Sequence, residues 1–153
     1  MKNRFAVLLF AGLVPLAGAA WSVEDPAPLV MWQADHSVVL QAKDVELADF
    51  HWIARPVVVF ADSPADPRFR QQMEFLMARM EELSERDVVV IADTEPTAQS
   101  ALRTKLRPRG FMLVLIGKDG GVKLRKPFPW DVREISRSID KMPMRQQEIR
   151  DRR

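Results

Sequence analysis

The stretch RPVVVFADSPADPRF, at residues 55–69, contains a buried strand, a polar loop and the start of a helix. Its apolar run Val57–Phe60 is rich in β-branched residues and does not alternate, which is typical of a strand covered on both faces. Asp66 followed by Pro67 is the pattern of a helix N-terminus. Apolar residues then recur at steps of three and four and predict one helix over residues 67–84: Phe69, Met73, Leu76, Met80 and Leu83.

The chain on the C-terminal side of this helix predicts three more strands and two helices. Residues 88–92 and 111–116 are further apolar runs, and Asp119-Gly120 is a hairpin turn signal before a short strand at 122–125. Helices are expected from about Thr94 to Leu106 and over Val132–Met142, after Asp131. The order βαβ followed by ββα predicts an α/β fold, with a four-stranded mixed sheet covered by helices.

The N-terminus has the pattern of a secretory signal peptide. Lys2 and Arg4 precede an apolar run from Phe5 to Leu16, and small residues lead to a cleavage site after Ala19 or Ala20. We therefore expect a periplasmic or secreted protein without a transmembrane segment in its mature form. The expected organisation is a signal peptide at 1–20, an irregular lead-in at 21–44, a domain at 45–144 and a frayed polar tail at 145–153. Within or beside the lead-in we expect a short strand at Ser37–Gln41 and an Asp44-capped helix over Val45–Phe50.

The composition excludes one class of function and argues against another. The chain contains no cysteine, so it has no thiol chemistry. Without Lys2 and Arg4, 21 basic residues balance 21 acidic ones, and this neutrality argues against nucleic-acid binding. No pattern in the sequence indicates a cofactor.

Four strings resemble the bacterial domain-of-unknown-function family numbered 4174: residues 51–60, 85–87, 117–124 and 139–148. The similarity runs from about residue 45 to 150, and Met142-Pro143-Met144-Arg145 is its most specific part. The family is similar to peroxiredoxin-like domains of extracellular proteins such as equarin and the sushi-repeat proteins. The resemblance implies a thioredoxin-like sandwich fold and no established activity.

Thioredoxin-like enzymes hold their reactive thiol between the first central strand and the following helix, where the helix N-terminus lowers the thiol pKa. This chain has Ala65-Asp66-Pro67-Arg68 there. The proline usually found before the third strand is replaced by Gly110 and Phe111. Both departures argue against oxidoreductase or peroxidase activity, and the sequence supplies no catalytic residue in their place.

The same region is a candidate ligand site, because open α/β sheets bind ligands at the carboxyl ends of their strands. We call it the junction site and define it by Asp62, Ser63, Asp66, Arg68, Arg107 and Arg109. Arginines could hold an anion or a polar small molecule there. Alternatively, Asp66 is only a helix cap and the arginines are solvated. Paired-carboxylate catalysis by Asp62 and Asp66 is disfavoured because the loop offers no shelter.

Two other patterns carry little functional information. His36 and His51 have no metal-ligand spacing, and no metal site is expected. The glycines of residues 117–121 precede a strand and lack the phosphate-loop spacing, so a hairpin explains them.

Met142, Met144 and Arg145 are candidate partner-binding residues, since methionines pack adaptably against other proteins. The alternative is a C-terminal strap on the chain's own sheet. These observations favour an exported, non-catalytic interaction module with an unknown protein partner. The alternative function is a periplasmic protein that binds a small anion or polar ligand at the junction site.

Overall fold

The computed structural model describes residues 26–153, so the expected signal peptide at 1–20 lies outside the described residues. Eleven regular elements follow one another in the described part of the chain. They are α1 (Pro28–Ala34), β1 (Val39–Gln41), β2 (Arg55–Phe60), α2 (Pro67–Met77), α3 (Met80–Ser84), β3 (Val88–Asp93), α4 (Ala101–Leu106), β4 (Met112–Ile116), β5 (Val122–Lys126), α5 (Val132–Asp140) and α6 (Pro143–Asp151). None of the helices between residues 26 and 153 is long and apolar enough to cross a membrane.

The sheet is mixed, as expected, and has the strand order β1-β3-β2-β4-β5. Strands β2 and β3 are parallel, while β4 runs antiparallel to both β2 and β5. The sheet has five strands instead of the expected four because Val39–Gln41 pairs in parallel with Val90–Ala92. The predicted α/β fold class is confirmed with this one addition.

The central strands are buried on both faces, as their continuous apolar runs predict. Val58 and Phe60 of β2 point into one apolar cluster, with Trp32 and Phe50. Val57 and Val59 point into the other, which α2, α3 and α5 cover. This double burial fixes the strand register, because a one-residue slip would exchange the two faces.

The helix expected over residues 67–84 is two helices. The amide of Arg79 donates to the carbonyl of Leu76, three residues earlier, at 3.1 Å. This closes a tighter turn than the four-residue spacing of an α-helix, and Arg79 leaves the helical conformation at φ −137°. The break redirects the chain so that Leu83 is buried beside Leu76. The helix expected from Thr94 to Leu106 is likewise shortened: a 3-10 turn precedes Gln99 at φ 45°, and α4 begins only after the Ser100 cap.

The lead-in is more ordered than its sequence indicates. Helix α1 buries Trp32, whose indole N–H donates to the Val88 carbonyl at 3.2 Å. The helix expected over Val45–Phe50 is replaced by two 3-10 turns, Ala42–Asp44 and Leu47–Phe50. Asp44 ends the first turn instead of capping a helix.

The C-terminal region also differs from the expected frayed tail. Helix α5 ends at Asp140, and Pro143 begins α6, which continues to Asp151. Sequence periodicity did not predict α6 because charged and polar residues dominate it, and its buried residue is Arg145.

Candidate functional site

At the junction site, Asp66 caps α2. Its Oδ1 accepts a 2.8 Å hydrogen bond from the Arg68 amide, and its Oδ2 lies 3.0 Å from Arg68 Nη2. These hydrogen bonds from Arg68, together with its charge, lower the pKa of Asp66 below its ordinary value. The carboxylate is therefore already bound by its own helix.

Asp62 and Ser63 belong to the exposed loop before α2. The Asp62 side chain is 67% exposed, and Arg103 Nη1 lies 3.8 Å from its Oδ1. The Ser63 hydroxyl accepts from the Ala65 amide at 3.1 Å and so closes a local turn. A carboxylate this exposed lacks the low-dielectric surroundings that paired-carboxylate catalysis requires.

The structure brings the loop at residues 107–110 beside Asp62. Gly110 has φ 61°, and a Cβ at that position would lie 3.9 Å from Asp62 Oδ2. Arg107 ends α4 in the left-handed conformation at φ 49°, and both Arg107 and Arg109 are exposed. Arg68, which is also half exposed, lies 5.6 Å above the Phe111 ring. The loop of Arg107 and Arg109 thus adjoins Asp62 at the carboxyl end of β2, and these two arginines are exposed, whereas Arg68 is paired with Asp66.

Sequence reasoning missed a buried ion pair beneath this edge. Arg103 donates to Asp93 Oδ1 from Nε at 3.1 Å and from Nη2 at 2.8 Å, and Nη2 also donates to the Ala61 carbonyl. The Ser100 hydroxyl donates to Asp93 Oδ2 at 2.6 Å. This cluster joins the carboxyl ends of β2 and β3. In the sequence, this ion pair could have been suspected from Asp93, an acidic residue at the end of an apolar run.

The C-terminal candidate residues lie on the chain's own domain. Arg145 is 7% exposed, and its Nη1 lies 3.2 Å from Glu148 Oε2. Glu148 Oε1 is 2.8 Å from Arg55 Nη2 and 3.0 Å from Lys118 Nζ. Burial disfavours the charged carboxylate, but the hydrogen bonds from Arg55, Lys118 and Arg145 outweigh it and lower the pKa of Glu148 to about 2.

Met142 and Met144 line a cavity of about 260 Å³ between α6 and the hairpin loop. Both methionines are half-buried, and Met142 packs against the cluster that α5 covers. The remaining lining residues come from β2, the hairpin, β5 and the start of α6: Arg55, Gly117, Lys118, Asp119, Lys123 and Pro143.

Trp52 stands beside the same hairpin. Trp52 is 67% exposed, and its backbone is left-handed at φ 65°. Its amide donates to the Lys118 carbonyl at 2.8 Å. Two apolar residues here are exposed. Ile53, next to Trp52 in the sequence, is 38% exposed, and Val122, next to Lys123, is 42% exposed. We call this end of the molecule the hairpin pole: Trp52, Ile53, residues 117–122 and Met142–Met144.

Both histidines have structural neighbours. The His36 ring lies 4.3 Å from the Trp32 ring in an edge-on contact, and His51 packs against Gly120. No group of three His, Cys, Asp or Glu side chains is arranged for a metal ion between residues 26 and 153.

Comparison with known proteins gives a family and a fold. The model of the family described as a domain of unknown function, DUF4174, matches residues 46–148. No curated protein matches the sequence significantly.

Three of the solved structures that are similar to this one come from Plasmodium species. Prx1a of Plasmodium yoelii, modified at the N-terminus and described as an artifactual octamer, is 17% identical at a TM-score of 0.52; the match covers 67% of this chain and 81% of that one. Thioredoxin peroxidase I of Plasmodium yoelii is 19% identical at a TM-score of 0.47, and the match covers 67% of this chain and 80% of that one. The mitochondrial 2-Cys peroxiredoxin of Plasmodium falciparum is 15% identical at a TM-score of 0.47, and the match covers 66% of this chain and 84% of that one. At 17% identity, the likeness to Prx1a concerns the fold alone.

Proposed function

Because the chain belongs to the DUF4174 family and has a thioredoxin-like fold, we propose that it is an exported, non-catalytic interaction module that binds a protein partner through the hairpin pole. Two features support a non-catalytic role. The chain has no cysteine, and Asp66, at the place of the thiol in thioredoxin-like enzymes, is occupied as a helix cap.

The observation that carries the proposal is the conformation of Trp52. A bulky residue with positive φ costs about 1–2 kcal/mol, and such strained positions cluster at functional sites. At this strained position the tryptophan is 67% exposed. Tryptophan is enriched among the residues that dominate protein–protein binding, because it contributes a large contact area at low entropic cost.

The surroundings of Trp52 fit an interface. Ile53, the next residue in the chain, adds exposed apolar surface, and Lys118, whose carbonyl accepts from the Trp52 amide, adds a charge. An apolar centre with charged residues at its edge is the usual organisation of a specific interface. The C-terminal candidates differ from one another. Met142 and Met144 belong to the pole, whereas Arg145 is buried, pairs with Glu148 inside α6 and lies 3.6 Å from Asp140 at the end of α5.

Site-specific photo-crosslinking in the source cells tests the proposal. A photoreactive amino acid at Ile53 should give one discrete adduct, which Trp52→Ala should abolish while leaving the protein folded. The same amino acid at Lys105, an exposed residue of α4, is the matched control. Equal adducts at positions 53 and 105, or an adduct unaffected by Trp52→Ala, would contradict the proposal.

Export is tested separately by sequencing the N-terminus of the protein recovered from the periplasm or the medium. We expect the mature chain to begin at Ala20 or Trp21. Recovery of the intact N-terminus from the cytoplasm would contradict the export proposal.

A second candidate function is binding of a small anion or polar ligand at the junction site. Arg68, Arg107 and Arg109 are exposed at one sheet edge, and the loop of the last two adjoins Asp62. A thermal-shift titration with phosphate, sulfate and citrate tests it. Stabilisation that Arg107→Gln/Arg109→Gln removes, and that Lys105→Gln leaves intact, would favour this function over the interaction module.

A further inference from the structure

We propose that the cavity between the hairpin loop and α6 binds a small organic carboxylate with an apolar body. The cavity is lined in part by residues 117–119 and Met142–Met144 of the hairpin pole but does not include Trp52, so a small molecule can fill it whether or not a partner covers Trp52. The cavity measures about 260 Å³, slightly below the roughly 300–1,000 Å³ of drug-sized sites, and it therefore suits a compact ligand.

One wall of the cavity is apolar and adaptable. Met142, Pro143 and Met144 form it at the start of α6. The unbranched thioether side chains of methionine can adjust to an aliphatic or aromatic body. Pro143 has no backbone N–H, so it adds apolar surface without a donor. This wall favours a ligand whose main part is hydrocarbon.

The facing wall is cationic. Arg55, Lys118 and Lys123 line the cavity together with a single carboxylate, Asp119. Behind this wall, two carboxylates are each shared by three cations. Glu148 contacts Arg55, Lys118 and Arg145, and Asp87 contacts Arg55, Lys118 and Arg152. Asp140 also contacts Arg145, so five cations here meet four carboxylates, and an anion in the cavity would complement the remaining positive charge.

The lysines retain donors for such an anion. Each ammonium has three N–H donors. Lys118 directs two of them to Asp87 and Glu148, at 2.8 and 3.0 Å, and Lys123 directs one to Asp119 at 2.7 Å. Among residues 26–153 these are the only ion pairs of the two lysines, so one N–H of Lys118 and two of Lys123 can meet a carboxylate. Charge-assisted bonds of this kind are about twice as strong as neutral ones.

Titration of the full chain with hexanoate, followed by NMR of ¹³C-methyl methionine, tests the proposal directly. Saturable shifts are expected at Met142 and Met144, with assignment by single Met→Leu variants. Butanoate should bind about 15-fold more weakly than hexanoate, because it buries two methylenes fewer. Hexan-1-ol, which keeps the chain and lacks the charge, should bind at least roughly tenfold more weakly than hexanoate.

The matched variants are Lys123→Gln and Lys105→Gln, which remove the same charge inside and outside the cavity. Lys123→Gln should weaken hexanoate binding several-fold, whereas Lys105→Gln should leave it unchanged. Equal affinity for hexanoate and hexan-1-ol, shifts confined to other methionines, or no shift at millimolar hexanoate would overturn the proposal. A peptide carboxylate that binds while hexanoate does not would overturn it too, and would instead favour the protein-partner function.

Discussion

Arg55 donates a 2.8 Å hydrogen bond from Nη2 to Oε1 of Glu148, a residue 93 positions further along the chain. Arg55 is 1% exposed, and its Nη1 also donates to the Arg86 carbonyl at 2.8 Å. A buried guanidinium without a counter-ion is strongly unfavourable. Glu148 therefore makes α6 part of the folded domain, although α6 buries little apolar surface.

Glu148→Ala should lower the free energy of unfolding by about 2–3 kcal/mol, because it leaves Arg55 and Lys118 without this carboxylate. The value is below the 3–5 kcal/mol for fully buried pairs, since the Glu148 side chain is 19% exposed. Urea unfolding measures the loss. Gln147→Ala, on the exposed side of the same helix, should cost less than about 0.5 kcal/mol. Equal losses in the two variants would show that the ion pair is not responsible.

The lowered pKa of Glu148 predicts that the free energy of unfolding depends on pH. Because folding lowers the pKa of Glu148 from 4.5 to about 2, its contribution is fully present above pH 4.5 and is lost as the pH falls toward 2. The difference in unfolding free energy between the parent and Glu148→Gln should be constant from pH 7 to about 5 and should then shrink. A difference that stays constant down to pH 2 would contradict the depressed pKa.

The apolar strands could be predicted because burial on both faces leaves a direct signature in the sequence. Val57–Phe60, Val88–Ala92 and Phe111–Ile116 are continuous apolar runs, and each forms a central strand. Strand β1 was harder to place in the sheet, since three residues carry too little pattern. The break at Arg79 was missed because the apolar steps of three and four continue across it.

The candidate sites were less predictable because they depend on contacts between distant residues. Arg55 is buried at the start of β2 although arginine is rarely buried, and no sequence pattern identifies Glu148 as its partner. The loop of residues 107–110 adjoins Asp62 at the carboxyl end of β2 because β4 runs antiparallel to β2, whereas ligand binding by the junction residues stays a prediction. The sequence did not single out Trp52, since backbone strain has no signature in apolar periodicity.

The role of Asp66 as a cap can be measured apart from any ligand. Asp66→Ala should lower the free energy of unfolding by about 1 kcal/mol, because α2 loses the acceptor for the Arg68 amide. Asp66→Asn keeps a side-chain oxygen at the cap and should be almost neutral. Thermal unfolding of the two variants without added ligand gives the comparison. Equal destabilisation by both would mean that the charge of Asp66 matters more than its capping bond.

The hairpin turn requires glycine at position 120 for two reasons. Gly120 has φ 76°, and a Cβ there would lie 2.5 Å from His51 Nε2. Gly120→Ala should therefore cost about 2 kcal/mol, from the left-handed backbone and from the displaced histidine. In a His51→Ala background only the backbone cost of about 1 kcal/mol should remain. A double-mutant cycle by urea unfolding separates the backbone cost from the cost of displacing His51. If the losses of unfolding free energy in the two single variants simply add in the double variant, the contact with His51 is excluded as a cause.

Trp52 should contribute little to stability if its conformation serves binding. Trp52→Ala is expected to cost about 1 kcal/mol, whereas Trp32→Ala, which empties a buried site, should cost about 3–5 kcal/mol. Trp52→Gly should be more stable than Trp52→Ala by about 1 kcal/mol, because glycine tolerates φ 65° and alanine does not. Urea unfolding of the three variants measures both differences.

If Trp52→Gly is instead less stable than Trp52→Ala, the left-handed backbone carries no strain, and the main support for a recognition role is lost. If Trp52→Ala costs as much as Trp32→Ala, the tryptophan stabilises the fold and its exposure needs no partner. The interaction module therefore requires both results together: a small loss for alanine and a gain for glycine relative to it. Partner crosslinking from position 53 should disappear in both variants, because each removes the indole while the domain stays folded.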